Sequence, residues 1–212
     1  MAKSLLKQLF DNVWTWEGPE PGCPTLCRGY VVATPNGTVL VDPPFSSDGK
    51  LQELPGRRIP IAALLTNHFH IRSAGGFRTE FGCDVYMHAA EESWTDFRAD
   101  HYFSDNDLLQ ACFRAIRIPN SNFSGATAFL FESGDGILFV GEAIDVRDSK
   151  TLWKIYTRYL ARTCSTVEES IEELKVLLDH QFDALLPAHD EPMLTGAKTA
   201  LREFLANPIT RY

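Results

Sequence analysis

The stretch Leu64-Leu65-Thr66-Asn67-His68-Phe69-His70-Ile71-Arg72-Ser73-Ala74-Gly75-Gly76 decides the fold of this chain. The apolar run at residues 61–65 predicts a buried strand that ends abruptly in polar residues. Layered α/β proteins bind their ligands at strand ends that open into a loop in this way. Residues two apart in an extended segment face the same side. His68 and His70 are therefore either half of a metal site or two hydrogen-bonded loop histidines.

Composition excludes several classes of protein. The 212 residues are 44% hydrophobic and 23% charged, which predicts a single globular domain over residues 1–212. A formal net charge of −8 argues against a nucleic-acid partner. No apolar run approaches the roughly 20 residues of a membrane span, and the N-terminus has no signal-peptide core. Five cysteines without a framework spacing suit a reducing compartment, so we expect a cytoplasmic protein without a membrane partner.

Strand and helix patterns alternate along the chain. A capping box at Ser165 and Glu168 predicts the start of a helix that runs to residue 178, and residues 94–107 are predicted to form a surface excursion. Strand-rich halves followed by helices predict sheets sandwiched between helices. The predicted strands are 13–17, 29–34, 38–41, 61–65, 84–87, 112–118, 126–131, 137–140 and 182–186, and the other predicted helices are 48–54, 77–81, 89–96 and 199–205.

Polar motifs at the predicted strand ends resemble those of the metallo-β-lactamase superfamily. That family has a hairpin ending in Asp-x-Gly, then Thr-His-x-His-x-Asp-His-x-Gly-Gly, a Pro-Gly-His-Thr-Pro-Gly loop, a strand ending in Gly-Asp and a last one ending in Pro-x-His. The corresponding stretches here are Val41-Asp42-Pro43, residues 68–76, residues 119–129, Phe139-Val140-Gly141-Glu142 and Leu186-Pro187-Ala188-His189. The resemblance covers nearly the whole chain. It implies an α/β fold, a four-layer αββα sandwich, with the site between its two sheets.

The departures from the family pattern fall on its metal-binding positions. The first two histidines are retained as His68 and His70, whereas Arg72 replaces the family's aspartate and Ser73 replaces its third histidine. Arginine is always protonated, so Arg72 would repel a cation there and can pair with Glu142 instead. We therefore expect the second metal site of the family to be absent.

The other metal-binding positions are partly retained. Either Ser121 or Asn122 replaces the histidine of the loop, because that loop is one residue longer here. Glu142 replaces the bridging aspartate, and His189 retains the last histidine. Asp42 is either a residue that supports the metal histidines through hydrogen bonds or a turn residue at a strand end.

The resemblance allows at most one metal ion as a cofactor. His68, His70 and Glu142 are the ligands that it leaves for a single zinc, with an open position for water. The cofactor is therefore either absent or one zinc ion.

Two functions follow from this site. In the first, the protein lacks the two-metal site and binds a small anionic ligand through five polar residues: Asp42, Arg72, Ser73, Ser121 and Asn122. The alternative is a one-metal hydrolase of an ester, thioester or similar small substrate, with His68, His70, Arg72, Glu142 and His189 in catalysis. A third hypothesis is metal-free catalysis with His68 or His189 as general base. The ligand's identity, the pathway and the oligomeric state are not encoded in any pattern of the chain.

Overall fold

A seven-stranded mixed sheet is formed by the N-terminal half of the chain. The computed structural model describes residues 6–19, 26–44, 59–71, 73–118, 125–155 and 166–211. The strands of this first sheet follow chain order: β1 (Lys7–Phe10), β2 (Val13–Gly18), β3 (Cys27–Thr34), β4 (Gly37–Val41), β5 (Pro60–Leu64), β6 (Asp84–His88) and β7 (His101–Phe103). Strands β1 to β4 pair antiparallel, and β4 to β7 pair parallel. The carboxyl ends of β4 and β5 therefore meet at one edge of the sheet.

A second sheet and a small third one follow along the chain. The second has the order β14-β11-β10-β9-β8, and its β11 and β14 are parallel neighbours. Its strands are β8 (Leu108–Leu109), β9 (Phe113–Arg117), β10 (Thr127–Phe131), β11 (Ile137–Gly141) and β14 (Ala184–Pro187). The third sheet consists of β12 (Asp145–Arg147), β13 (Thr151–Ile155) and β15 (Thr210–Arg211).

Within the described residues, three α-helices cover the outer faces of the two large sheets. Helix α1 (Ala74–Phe81) lies on the first sheet, and α2 (Val167–Glu172) and α3 (Ala197–Ala206) lie on the second. Short 3₁₀ helices cover His68–Ile71, Ala89–Trp94 and Glu173–Asp179. No helix within the described ranges is long and apolar enough to cross a membrane.

Buried apolar side chains fill three separate interfaces and thereby define the layers. Between the sheets, Tyr30 of the first packs edge-on against Phe139 of the second, with ring centroids 5.2 Å apart. Phe77 of α1 packs on Trp16 on one outer face, and Leu201 of α3 belongs to the core of the other. The order helix, sheet, sheet, helix confirms the predicted αββα sandwich.

Several predicted elements differ in detail. Residues 94–107 were expected to be a surface excursion, but they include the three-residue edge strand β7. The capping box lies one position later than predicted: Thr166 Oγ1 accepts from the Glu169 amide, and the Glu169 carboxylate accepts from the Thr166 amide. The helix predicted at 89–96 is a 3₁₀ helix, and the helix predicted at 48–54 lies outside the described residues.

Candidate metal centre

Three side chains from three strand ends converge at the edge where both large sheets end. His70 lies on the 3₁₀ helix after β5, Glu142 directly follows β11, and His189 is the second residue after β14. One ligand atom from each of these residues lies within 4.8 Å of the other two. Two imidazoles and a carboxylate so close together form a set of donors for one metal ion.

His70 is fully buried, and its ring orientation is fixed from behind. The Thr66 hydroxyl donates to Asp42 Oδ2 at 2.7 Å, so its oxygen is available to accept from His70 Nδ1, which lies 2.9 Å away. His70 Nδ1 also lies 2.9 Å from Asp42 Oδ2. His70 Nε2 lies 3.5 Å from Glu142 Oε1. A ring that keeps its proton on Nδ1 would present the Nε2 lone pair to a metal ion bound beside Glu142.

Asp42 supports this arrangement from the end of β4. Its Oδ1 accepts from the Thr66 amide at 2.9 Å, and its own amide donates to the Leu64 carbonyl at 3.0 Å. Its φ of 46° is left-handed, a conformation that Asp adopts more readily than most residues. The sequence left open a supporting role or a turn role for Asp42. Its carboxylate contacts His70 and its backbone makes the turn.

Glu142 and His189 form a close pair of opposite charge. Their Oε1 and Nε2 atoms lie 3.0 Å apart. Burial by itself would raise the pKa of Glu142, but its contacts with the imidazoles of His189 and His70 hold that pKa well below its ordinary value. Burial by itself would lower the pKa of His189, but its contacts with Cys27 and Glu142 raise that pKa to about 10. Without a metal, the pair therefore consists of a carboxylate and an imidazolium.

His68 points to a different partner. Its ring Nδ1 hydrogen-bonds to Glu91, and its backbone amide donates to Glu91 Oε2 at 3.0 Å. Glu91 is fully buried and also accepts from the Gly125 amide. Burial would raise the pKa of Glu91, but these hydrogen bonds from His68 and Gly125 lower it, so the carboxylate is ionised.

The group of possible ligands therefore differs from the predicted one. The sequence predicted His68, His70 and Glu142, whereas the group found in the described part of the chain is His70, Glu142 and His189. No ligand atom of His68 belongs to this group, and its Nδ1 and amide hydrogen-bond to Glu91. No motif pointed to Glu91, which lies on a 3₁₀ helix 23 residues further along the chain.

The remaining predicted site residues are only partly described. Ser73 directly precedes α1, and its carbonyl accepts from the Phe77 amide at 3.0 Å. Arg72, Ser121 and Asn122 lie outside the described residues. Their predicted roles in binding an anion stay predictions.

Two of the three separations between the donor atoms are close to those expected around one tetrahedral metal ion. Two atoms bonded to the same zinc at about 2.0–2.2 Å lie about 3.3–3.6 Å apart. Glu142 Oε1 lies 3.5 Å from His70 Nε2 and 3.0 Å from His189 Nε2, close to that separation. In both histidines Nδ1 lies next to an oxygen atom, as is usual for metal-binding histidines. That oxygen is Thr66 Oγ1 for His70, and the Leu26 carbonyl, 3.3 Å away, for His189. The side chain of Glu142 is 29% exposed, so one side of the group is open to solvent.

Solved structures similar to this chain include metallo-β-lactamases and a protein solved in a di-iron-bound form. The metallo-β-lactamase from Hirschia baltica superposes with a TM-score of 0.68 at 12% identity, over 98% of each chain. DIM-1 metallo-β-lactamase superposes with a TM-score of 0.67 at 14% identity, over 93% of this chain and 96% of that one. TTHA1623, solved in a di-iron-bound form, superposes with a TM-score of 0.63 at 21% identity, over 80% of this chain and 90% of that one. The chain therefore has the metallo-β-lactamase fold.

No protein family model and no curated protein sequence matches the chain. The likeness to these solved structures thus concerns the fold, and the chemistry depends on the chain's own residues.

Proposed function

We propose that this protein is a one-metal hydrolase that uses His70, Glu142 and His189 as ligands. The observation that carries the proposal is the convergence of His70 Nε2 and His189 Nε2 on a single oxygen of Glu142, at 3.5 and 3.0 Å. Two histidines and one glutamate form an established ligand set for catalytic zinc, and a non-haem iron uses the same donor types. When bound, such an ion supplies Lewis acidity and acidifies water for attack on an ester, thioester or similar carbonyl.

The residues around the ligands support this chemistry in different ways. Asp42 and Thr66 hold the His70 ring so that Nε2 faces the group. Glu142 and His189 lie at the open side, where a substrate and water can approach. We expect Arg72, with its permanent charge, to bind an anionic part of the substrate or the developing oxyanion. The site supports one cation, because Ser73 and Arg72 replace two ligands of the family's second metal site.

A second candidate is a metal-free protein that binds a small anionic ligand. It is favoured by the 3.0 Å contact of Glu142 with His189, which neutralises the carboxylate without a metal. The two candidates differ in what stabilises the fold. Zinc should stabilise a one-metal hydrolase, whereas inorganic phosphate or acetate should stabilise an anion-binding protein.

Replacing His189 with alanine should abolish tight metal binding. Loss of a residue that only supports a metal ligand weakens metal binding by about 10–100-fold. Loss of one of three ligands should therefore weaken zinc binding by at least about 100-fold. We expect about one zinc per wild-type chain after purification without chelators, measured by elemental analysis. We also expect an increase in unfolding free energy of about 2.7 kcal/mol at a free zinc concentration 100 times the Kd.

The matched control is His101→Ala. His101 lies on edge strand β7 and is half-exposed, with Nε2 3.0 Å from Asp84, so its loss should leave zinc content unchanged. Wild-type protein that binds no zinc but is stabilised by phosphate would reject the hydrolase and support the second candidate.

A further inference from the structure

The loop that carries His189 is fastened to the first sheet, although β14 before it belongs to the second. Residues 26, 28 and 30, just before and at the start of β3, hydrogen-bond to residues 189, 188 and 187 in that order. The hydrogen bonds are Tyr30 Oη to Pro187 O at 2.5 Å, Arg28 N to Ala188 O at 2.6 Å and His189 Nδ1 to Leu26 O at 3.3 Å.

The Arg28 side chain adds an ionic contact to these hydrogen bonds. Its Nη2 donates to Glu17 Oε1 at 2.5 Å and to Glu191 Oε1 at 3.1 Å. Glu17 lies directly opposite Arg28 in the β2–β3 register, whereas Glu191 belongs to the loop, two residues after His189. The Arg28 side chain is only 4% exposed, and a charge so buried is strongly destabilising unless it is paired. The guanidinium therefore holds the loop against β3.

This attachment matters because the candidate metal centre is divided between the sheets. His70 follows β5 of the first sheet, and Glu142 and His189 follow β11 and β14 of the second. The separation of the imidazoles thus depends on how the two sheets are joined at this edge. The contacts of β3 with the His189 loop join them on the His189 side, and the Thr127 amide, which donates to the Thr66 carbonyl at 2.9 Å, joins them on the His70 side.

We propose that Arg28 is a positioning residue for the metal centre. By binding Glu191, Arg28 fixes the position of His189 relative to His70. The inference rests on the proposed function, since it concerns the affinity of that site for a metal ion. Arg28 acts through the loop. The described hydrogen bonds and ion pairs of its guanidinium go to Glu17 and Glu191, and neither is one of the three ligands. Its loss leaves every donor in place and changes only how well the donors are preorganised.

Three variants test this role by zinc affinity, measured in competition with a chromophoric chelator. Arg28→Met keeps the length of the side chain and removes its charge, and we expect zinc binding about tenfold weaker. Arg28→Lys keeps the charge but loses the planar fork, so its zinc affinity should lie between that of Arg28→Met and that of the wild type. Glu191→Gln keeps the Arg28–Glu17 pair and weakens the Arg28–Glu191 link, with a several-fold effect in the same direction. It also weakens the exposed 3.6 Å contact of Glu191 with Lys7, and Lys7→Met, which removes that contact alone, should leave zinc affinity unchanged.

Hydrogen–deuterium exchange of the metal-free protein provides a readout that does not depend on zinc. Amides of residues 186–194 should exchange faster in Arg28→Met and Glu191→Gln, while those of α1 and β10 stay at wild-type rates. The control is Arg78→Met, which removes an arginine of α1 whose Nη1 lies 3.4 Å from Asp100. It should change neither zinc affinity nor exchange in the loop.

The outcomes separate this inference from the proposed function. If wild-type protein binds no zinc, the proposed function fails, while faster exchange of the loop would still support the attachment by Arg28. If Glu191→Gln folds and has wild-type zinc affinity and loop exchange, the positioning role is rejected. The same result for a folded Arg28→Met would reject it independently.

Discussion

Replacing Glu91 with alanine should destabilise the fold by about 3–5 kcal/mol, because three donors would lose their acceptor at a cost of about 1–3 kcal/mol each. The Glu91 carboxylate is fully buried and accepts from the His68 amide, the His68 ring and the Gly125 amide. Without it these donors stay buried without their acceptor. Urea denaturation at pH 7 measures the loss directly.

The neighbouring residue provides the control. Glu92 lies on the same 3₁₀ helix, but its side chain is 53% exposed and its contact with Arg98 is 3.8 Å long. Glu92→Ala should therefore change the free energy of unfolding by no more than about 0.5 kcal/mol. Equal effects of the two substitutions would show that Glu91 is not an essential acceptor.

The contribution of Glu91 should also depend on pH. Its pKa in the folded state is lowered from the ordinary value of 4.5, so the ionised form favours folding above pH 4.5. That stabilisation is lost as the pH falls through the folded-state pKa. The difference in unfolding free energy between wild type and Glu91→Gln should therefore be largest near neutral pH and shrink below pH 4.5. A difference that is constant with pH would contradict this.

The sequence predicted where side chains of the site come together better than it predicted their orientation. His70, Glu142 and His189 each follow a strand whose apolar pattern is clear, and parallel strands place such positions at one edge. His68 follows the same strand as His70, but it hydrogen-bonds to Glu91 and does not belong to that group. This partner lies 23 residues away on a helix with no recognisable motif. Local patterns carry no information about such a contact.

The capping box shows a second limit of local patterns. Ser165 with Glu168 and Thr166 with Glu169 have the same spacing, so the sequence contains the motif in two adjacent registers. The structure has the second register, and Ile171 and Leu174 further along belong to the core of the second sheet, as the apolar stripe predicted. The three residues of β7 are likewise too few for a strand pattern, and their pairing with β6 defines them as a strand.

Gly141→Ala should destabilise the fold by about 4 kcal/mol and weaken zinc binding. Gly141 has a φ of +55°, which costs a non-glycine residue about 1–2 kcal/mol. A Cβ there would also lie 2.3 Å from Thr66 Oγ1, and such overpacking costs about 1–3 kcal/mol more. Since the Thr66 hydroxyl lies between Asp42 and His70, its displacement should lower zinc affinity about tenfold.

Gly134→Ala separates backbone strain from the steric clash. Gly134 has nearly the same φ, +58°, but an added Cβ would meet no atom of the described residues within 4 Å. Its replacement should cost only the backbone strain, about 1–2 kcal/mol, and leave zinc affinity unchanged. Urea denaturation and chelator competition on both variants measure the two effects. If the variants were equally stable and bound zinc equally well, Thr66 would be free to move, and its oxygen would not be what orients His70.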